Sequence, residues 1–191
     1  MLAEILEGAL CKLKRLDDKK VGELHKRFQE PKFYYAAGLR KPPQLKDLRA
    51  DLIDEELWVW EIFPEGKTQA VGYAGVVCYS GPPFIFVTFF AHDEPEMARD
   101  AMLQIVQGYF THFDEEQLWF YHPKPVPERV HDMLVEGGFD PYEEDHLPGI
   151  DLTKETAYRM ERHTFVAYYG DESGNYEADE DAAEELNFDE S

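Results

Sequence analysis

Side chains able to take or give a proton stand out at Glu61 in "ELWVWEIF" and at Tyr121 and His122 in "QLWFYH". A carboxylate or an imidazole can accept a proton from a reacting group, directly or through water, and a phenol can return one. His92, Tyr142 and His146 fall in loop-like stretches and suit contacts to a substrate or partner. His112 and His131 fall on predicted helices and look ordinary. No metal set stands out. "HPKPVPERVH" places two histidines with prolines between them, which is not a compact ligand pattern. The chain has no Walker loop, dinucleotide fingerprint or serine nucleophile elbow.

The stretch "FFAHDEPEMARDAM", residues 89–102, runs from an apolar segment into an amphipathic one. A strand that hands over to a helix in this way can hold a phosphate on bare backbone amides. Here the junction has no glycine, and Asp93, Glu94 and Glu96 stand close by. Two like unit charges about 4 Å apart repel by about 4 kcal/mol at an effective dielectric of about 20, before screening. Asp93 followed by Glu96 reads as a capping box, with Pro95 in the first turn. A well-capped helix start is therefore expected.

The elements that must position these groups follow from pattern. "EILEGALCKLKRL" predicts a first strand near residues 6–15. "DDKKVGELHKRF" predicts a helix capped by Asp17 or Asp18 and ended or bent by Pro31. A turn over Gly38–Pro43 leads to a second short helix. "ELWVWEIF", "AVGYAGVVCY" and "FIFVTFF" predict three consecutive strands. Met97, Ala101, Ile105, Tyr109 and Phe113 then make one helical stripe. "QLWFYH" predicts a strand, "PERVHDMLVEGGF" a helix ended by paired glycines, and "HTFVAYY" a last strand. A further short strand fits near Phe139–Glu143, and the long link "YEEDHLPGIDLTKETAYRMER" suits a binding loop.

This order resembles the GNAT acyltransferase superfamily. The likeness spans roughly residues 10–170 and is strongest in "HDEPEMARDAMLQIVQGYF", "QLWFYH" and "PERVHDMLVEGGF". The resemblance implies a mixed α/β fold: a strongly twisted mixed β-sheet with helices on both faces. It also implies an acyl-CoA site where "FIFVTFF" and "QLWFYH" splay apart. Phe89, Phe90, Glu94, Met97, Ala98 and Arg99 would then be the cofactor contacts, and Glu61, Tyr121 and His122 the catalytic candidates. The spaced glycines of the family's pyrophosphate loop are absent from "PEMARDA". The family's helix tyrosine falls at Leu134, which cannot donate a proton, and its asparagine falls near Pro127.

The net charge is -21, with an excess of five positive charges over residues 1–49 and of sixteen negative charges over residues 50–150. Such a surface favours basic partners and opposes direct binding to nucleic acid. Residues 171–191 carry ten acids and no base, the pattern of a flexible tail. No run approaches about 18 continuous apolar residues, so no membrane contact is expected. Cys11 and Cys78 are too few for a disulfide scaffold, which suits the cytoplasm.

The expectation is one GNAT-like domain over residues 1–170 with a flexible acidic tail. It would be a non-catalytic or regulatory module that binds a basic protein and needs no cofactor. A homodimer is left open. The first alternative is a divergent N-acyltransferase using acetyl-CoA or acyl-CoA on a cationic amine. The second is an acidic nucleic-acid mimic.

Overall fold

The computed structural model describes residues 4–78, 81–92 and 94–170. Eight strands form one sheet: β1 (Ile5–Glu7), β2 (Cys11–Arg15), β3 (Leu57–Pro64), β4 (Gly72–Val77), β5 (Phe84–Phe89), β6 (Gln117–Pro123), β7 (Asp140–Pro141) and β8 (Glu155–Glu161). Their spatial order is β1-β2-β3-β4-β5-β6-β8-β7. Every neighbouring pair is antiparallel except β5 and β6, which are parallel. Helices cover both faces: α1 (Val21–Arg27), α2 (Pro31–Ala36) and α3 (Leu45–Ile53) on one, and α4 (Pro95–His112), α5 (Glu128–Glu136) and α6 (Arg162–Tyr169) on the other. This is the mixed α/β layout expected from the sequence.

Period-two alternation builds the two cores. Trp58, Trp60 and Ile62 of β3 face α4, where Ala101, Ile105, Tyr109 and their neighbours Met102 and Val106 complete one cluster. Leu57 and Val59 of the same strand face Leu24, Phe33 and Leu48 of the first three helices. Glu61 shares that second face and is only 7 % exposed. Its carboxylate is held by both oxygens on Lys20 Nζ, at 2.7 and 2.9 Å. A buried carboxylate needs such a partner to offset its lost hydration. In β4, a Cβ at Gly75 would stand 2.2 Å from the Trp58 carbonyl oxygen, so glycine there lets two backbones meet.

Several local expectations change. The first strand is a hairpin, β1 and β2, turned at Gly8–Leu10. Asp100 of α4 explains the break: its carboxylate accepts from the N–H groups of Ala9, Leu10 and Cys11, each at 3.0 Å. Asp17 caps a 3-10 turn over Asp18–Lys20 by accepting from the Lys19 N–H at 2.8 Å. Pro31 opens α2 as its first residue, where its missing N–H costs nothing. "HTFVAYY" is not a strand: residues Arg162–Tyr169 are helical, and the last long strand is "ETAYRME", inside the stretch expected to be a loop. That segment alternates, with Tyr158 and Met160 in the α4 core and Ala157 in the opposite one. In α6 only Phe165 is buried, stacked 5.2 Å from Phe110. The short strand near Phe139 is β7. The acidic tail lies outside the described residues. Among them, no helix is long and apolar enough to cross a membrane.

The Asp100 bonds make a testable clamp between the hairpin and α4. Asp100→Ala is expected to lower the unfolding free energy by about 2–3 kcal/mol, since charge-assisted hydrogen bonds are lost together. Cys11, whose thiol burial and Asp100 push up to about 12, should then react faster with a thiol reagent. Urea unfolding and alkylation rates check both; an unchanged midpoint would show that the hairpin holds without Asp100.

Candidate functional site: a fork between two parallel strands

β5 and β6 pair only at Phe84↔Trp119 and Ile85↔Phe120. Beyond these residues each strand keeps only its outer partner: β5 stays with β4 to Phe89, and β6 stays with β8 to Pro123. A fork opens between them. The Phe90 N–H goes to the Val71 carbonyl on the β4 side at 2.7 Å. N–H directions alternate along a strand, so Val87 and Phe89 turn theirs into the fork.

Lys32 of α2 holds the far end of the fork. Its ammonium donates to the Phe89 carbonyl at 2.7 Å and the Phe90 carbonyl at 3.0 Å. At Phe89 it supplies the donor that a continued ladder would have drawn from β6. A buried carbonyl left without a donor would be costly.

On the α4–α5 side the fork runs into a cavity of about 190 Å³. Val87, Phe89, Ala98, Met102, Phe120, Val130 and Met133 make its apolar wall; Glu94, His122 and Arg129 are its ionisable groups. Whole-ligand sites usually measure about 300–1,000 Å³, so this one suits a single slender arm of a larger ligand. At its upper end α4 begins with Glu94 in the cap position and Pro95 in the first turn. The Glu94 side chain makes no cap hydrogen bond. Asp93, and with it the expected Asp93–Glu96 capping box, lies outside the described residues. The first bond of the helix runs from the Ala98 N–H to the Glu94 carbonyl at 2.8 Å. Among the described residues, the N–H groups of Glu96 and Met97 have no acceptor. An 18-residue helix directs the positive end of its dipole at this point.

The candidates separate by face. His122 lines the cavity, and its Nδ1 lies 2.7 Å from the Pro123 carbonyl. A carbonyl only accepts, so Nδ1 carries the hydrogen in the neutral ring and Nε2 keeps its lone pair. Tyr121 points to the opposite face, 5.0 Å from the Phe84 ring and stacked at 6.3 Å on Trp119. Burial, and then Glu155, push its phenol well above the usual tyrosine range. Its hydroxyl and the Trp119 Nε1 are buried without a hydrogen-bond partner among the described residues. Glu61 lies two strands from the fork and is committed to Lys20.

Phe89, Glu94 and Ala98 come together in the cavity wall. Phe90 turns to the other face, against Tyr73 at 5.1 Å and under Arg27 at 4.5 Å. Met97 packs against the α4 core, and its carbonyl lies 3.9 Å from Cys11 Sγ. Arg99 points to Glu136 at the end of α5, at 3.7 Å. His92 and His146 are exposed. Tyr142 bonds within its own loop, to Glu144 at 3.0 Å and to the His146 carbonyl at 3.1 Å. Sequence reasoning missed Arg129. It is the exposed cation of the cavity rim and has no ion pair among the described residues. Its only signal was its place in the first turn of α5. Among the described residues no three His, Cys, Asp or Glu side chains are placed to hold a metal.

No family model matches this chain, and no curated protein does. Its likenesses are to solved structures of acetyltransferases. The spermidine N-acetyltransferase from Vibrio cholerae in complex with CoA and spermine aligns with a TM-score of 0.62 at 12% identity, covering 82% of this chain and 98% of that one. A ribosomal L7/L12 alpha-N-protein acetyltransferase, RimL, in complex with coenzyme A aligns at 0.57 and 12%, covering 83% and 98%. A nucleotide-linked sugar GNAT, FdhC, in its apo form aligns at 0.59 and 13%, covering 85% and 93%. The chain has the GNAT fold.

The Lys32 bonds generate a direct test. Lys32→Met keeps the stem and removes the ammonium. Stability should fall by about 1–2 kcal/mol, and the Phe90 amide should exchange with solvent about tenfold faster as the end of β5 loosens. Hydrogen exchange read by NMR checks this; unchanged protection at Phe90 would mean that β5 holds its course without the lysine.

Proposed function

We propose that this chain is an acyl-CoA-dependent N-acyltransferase. The observation that carries the reading is the continuous path from the β5–β6 fork to the first turn of α4. The expectation of a binding-only module rested on an acidic, glycine-free helix start and on Leu134 in place of a proton donor; of the acids, Glu94 makes no cap hydrogen bond. The neighbours described above include enzymes in complex with CoA, which favours the same reading.

The residues present fit such a ligand. The apolar wall of Val87, Ala98, Met102, Phe120, Val130 and Met133 suits a pantetheine-like arm. Arg129 and the amides of Glu96 and Met97 would hold phosphate oxygens, and Glu94 opposes them with one negative charge. Acyl-CoA would supply the thioester whose acyl group passes to an amine. The Val87 N–H, turned into the fork, is placed to stabilise negative charge on an acyl oxygen. His122 Nε2 is the proton acceptor on the cavity side, with its tautomer set by the Pro123 carbonyl. Leu134 offers no acid, so the chain departs from the family pattern there.

Isothermal titration with acetyl-CoA tests the reading. Saturable micromolar binding is expected. Arg129→Glu should weaken it about ten- to hundredfold, the size of a lost charge-assisted contact. Arg99→Glu should change it little, because that side chain serves Glu136. His122→Ala should leave acetyl-CoA affinity nearly intact and lower kcat by about 10²–10⁴. No binding heat at about 1 mM acetyl-CoA would reject the transferase, since binding weaker than that is worth less than about 4 kcal/mol.

A further inference from the structure

On the face of β6 away from the cavity, the chain has buried two hydrogen-bond donors without acceptors. Trp119 is 2 % exposed, and its Nε1 has no partner among the described residues. The Tyr121 hydroxyl, two residues along the same face, is likewise without one. The two ring centroids lie 6.3 Å apart, so the two donors stand on neighbouring side chains of one face. Leaving such donors unpaired costs free energy that a ligand oxygen would recover. The other two tryptophans do not share this condition. Trp58 Nε1 donates to the Glu55 carbonyl at 2.9 Å, and Trp60 is partnered.

A third group completes the locality. Tyr121 pairs with Ala157 and Pro123 with Glu155, which puts Glu155 diagonally beside Tyr121 on the same face. Diagonal neighbours across an antiparallel pair lie about 7–8 Å apart at the backbone, within reach of one small molecule. Glu155 is half-buried and forms no salt bridge among the described residues. Arg159, 5.8 Å from the Trp119 ring, is already bound to Glu161 at 2.8 Å. The face therefore offers two donors for an oxygen and one carboxylate for a cation, beside the open edge of β6.

From this arrangement we infer that the acceptor site takes an amine with a carbonyl oxygen next to it, as at the N-terminus of a peptide, and not a polyamine. Glu155 holds the ammonium, while Tyr121 and Trp119 donate to the carbonyl. A protonated polyamine brings donors alone and leaves both of the protein's donors unsatisfied. This inference rests on the transferase reading for its meaning but is tested by binding, which separates the two.

The probe is alanyl-alanine, compared with spermidine, on the ¹⁵N-labelled full chain. The chain has three tryptophans, so three indole N–H signals appear, and Trp119→Phe assigns the relevant one. Alanyl-alanine should shift the Trp119 indole signal downfield as its hydrogen bond forms; spermidine should not. Tyr121→Phe should weaken the dipeptide about fivefold, the equivalent of one neutral hydrogen bond, and Glu155→Gln should weaken it further. A Trp119 signal that ignores the dipeptide, or that moves equally with spermidine, overturns the inference. Acetyl-CoA binding together with that outcome leaves the transferase reading standing. A dipeptide response without acetyl-CoA binding supports the site and removes the transferase.

Discussion

The register between β5 and β6 ends after Ile85↔Phe120, and the functional geometry depends on that ending. Each strand is pulled outward by an antiparallel neighbour that follows it to its end. The inner ladder forgoes backbone hydrogen bonds, each worth about 0.5–1.5 kcal/mol net. Part of that cost is offset by Lys32, which supplies donors at Phe89 and Phe90. The apolar walls of the fork offset more by resting on α4 and α5. The Phe89 carbonyl at the opening has thus found another partner, while the Val87 N–H stays turned into it.

The two faces of the fork differ chemically because alternation along β6 divides its side chains. Phe120 and His122 go to the cavity beside α4; Trp119 and Tyr121 go to the aromatic side with Phe84 and Tyr142. One strand therefore presents a narrow apolar channel with an imidazole on one face and a pair of polar aromatic edges on the other. A slip of one residue in the β6–β8 register would exchange the two sets. Seven consecutive residue pairs, Gln117↔Glu161 to Pro123↔Glu155, oppose such a slip.

The central strands and α4 were legible because their signals were strong and local. Most of "FIFVTFF" and the stripe residues Ala101, Ile105 and Tyr109 are buried, with Met97 half-buried at the start of the stripe. β8 was read as part of a loop and α6 as a strand, since "HTFVAYY" is rich in strand-forming types and "ETAYRME" is not. Tertiary packing decided both: Phe165 meets Phe110, while Tyr158 and Met160 enter the core. Tyr121 and His122 could be placed beside the fork from sequence, but their assignment to opposite faces needed the register. Lys32 carried no readable signal and Arg129 only its place in the first turn of α5, because a lysine bonded to distant carbonyls and an arginine at a cavity rim look like ordinary surface charges. The acidic helix start was read through Asp93, which lies outside the described residues; of its neighbours, Glu94 makes no cap hydrogen bond.

Asp100 sits on α4 between Ala98 and Met102, which both face the cavity, and it grips the turn of the first hairpin. The amino-terminal edge of the sheet therefore acts as mechanical ground for the wall of the channel. Rocking of that outer hairpin reaches the helix one turn or less from the cavity-facing side chains, as a lever reaches its load. The remotest edge of the sheet and the interior of the fork are in this sense a single stiff part.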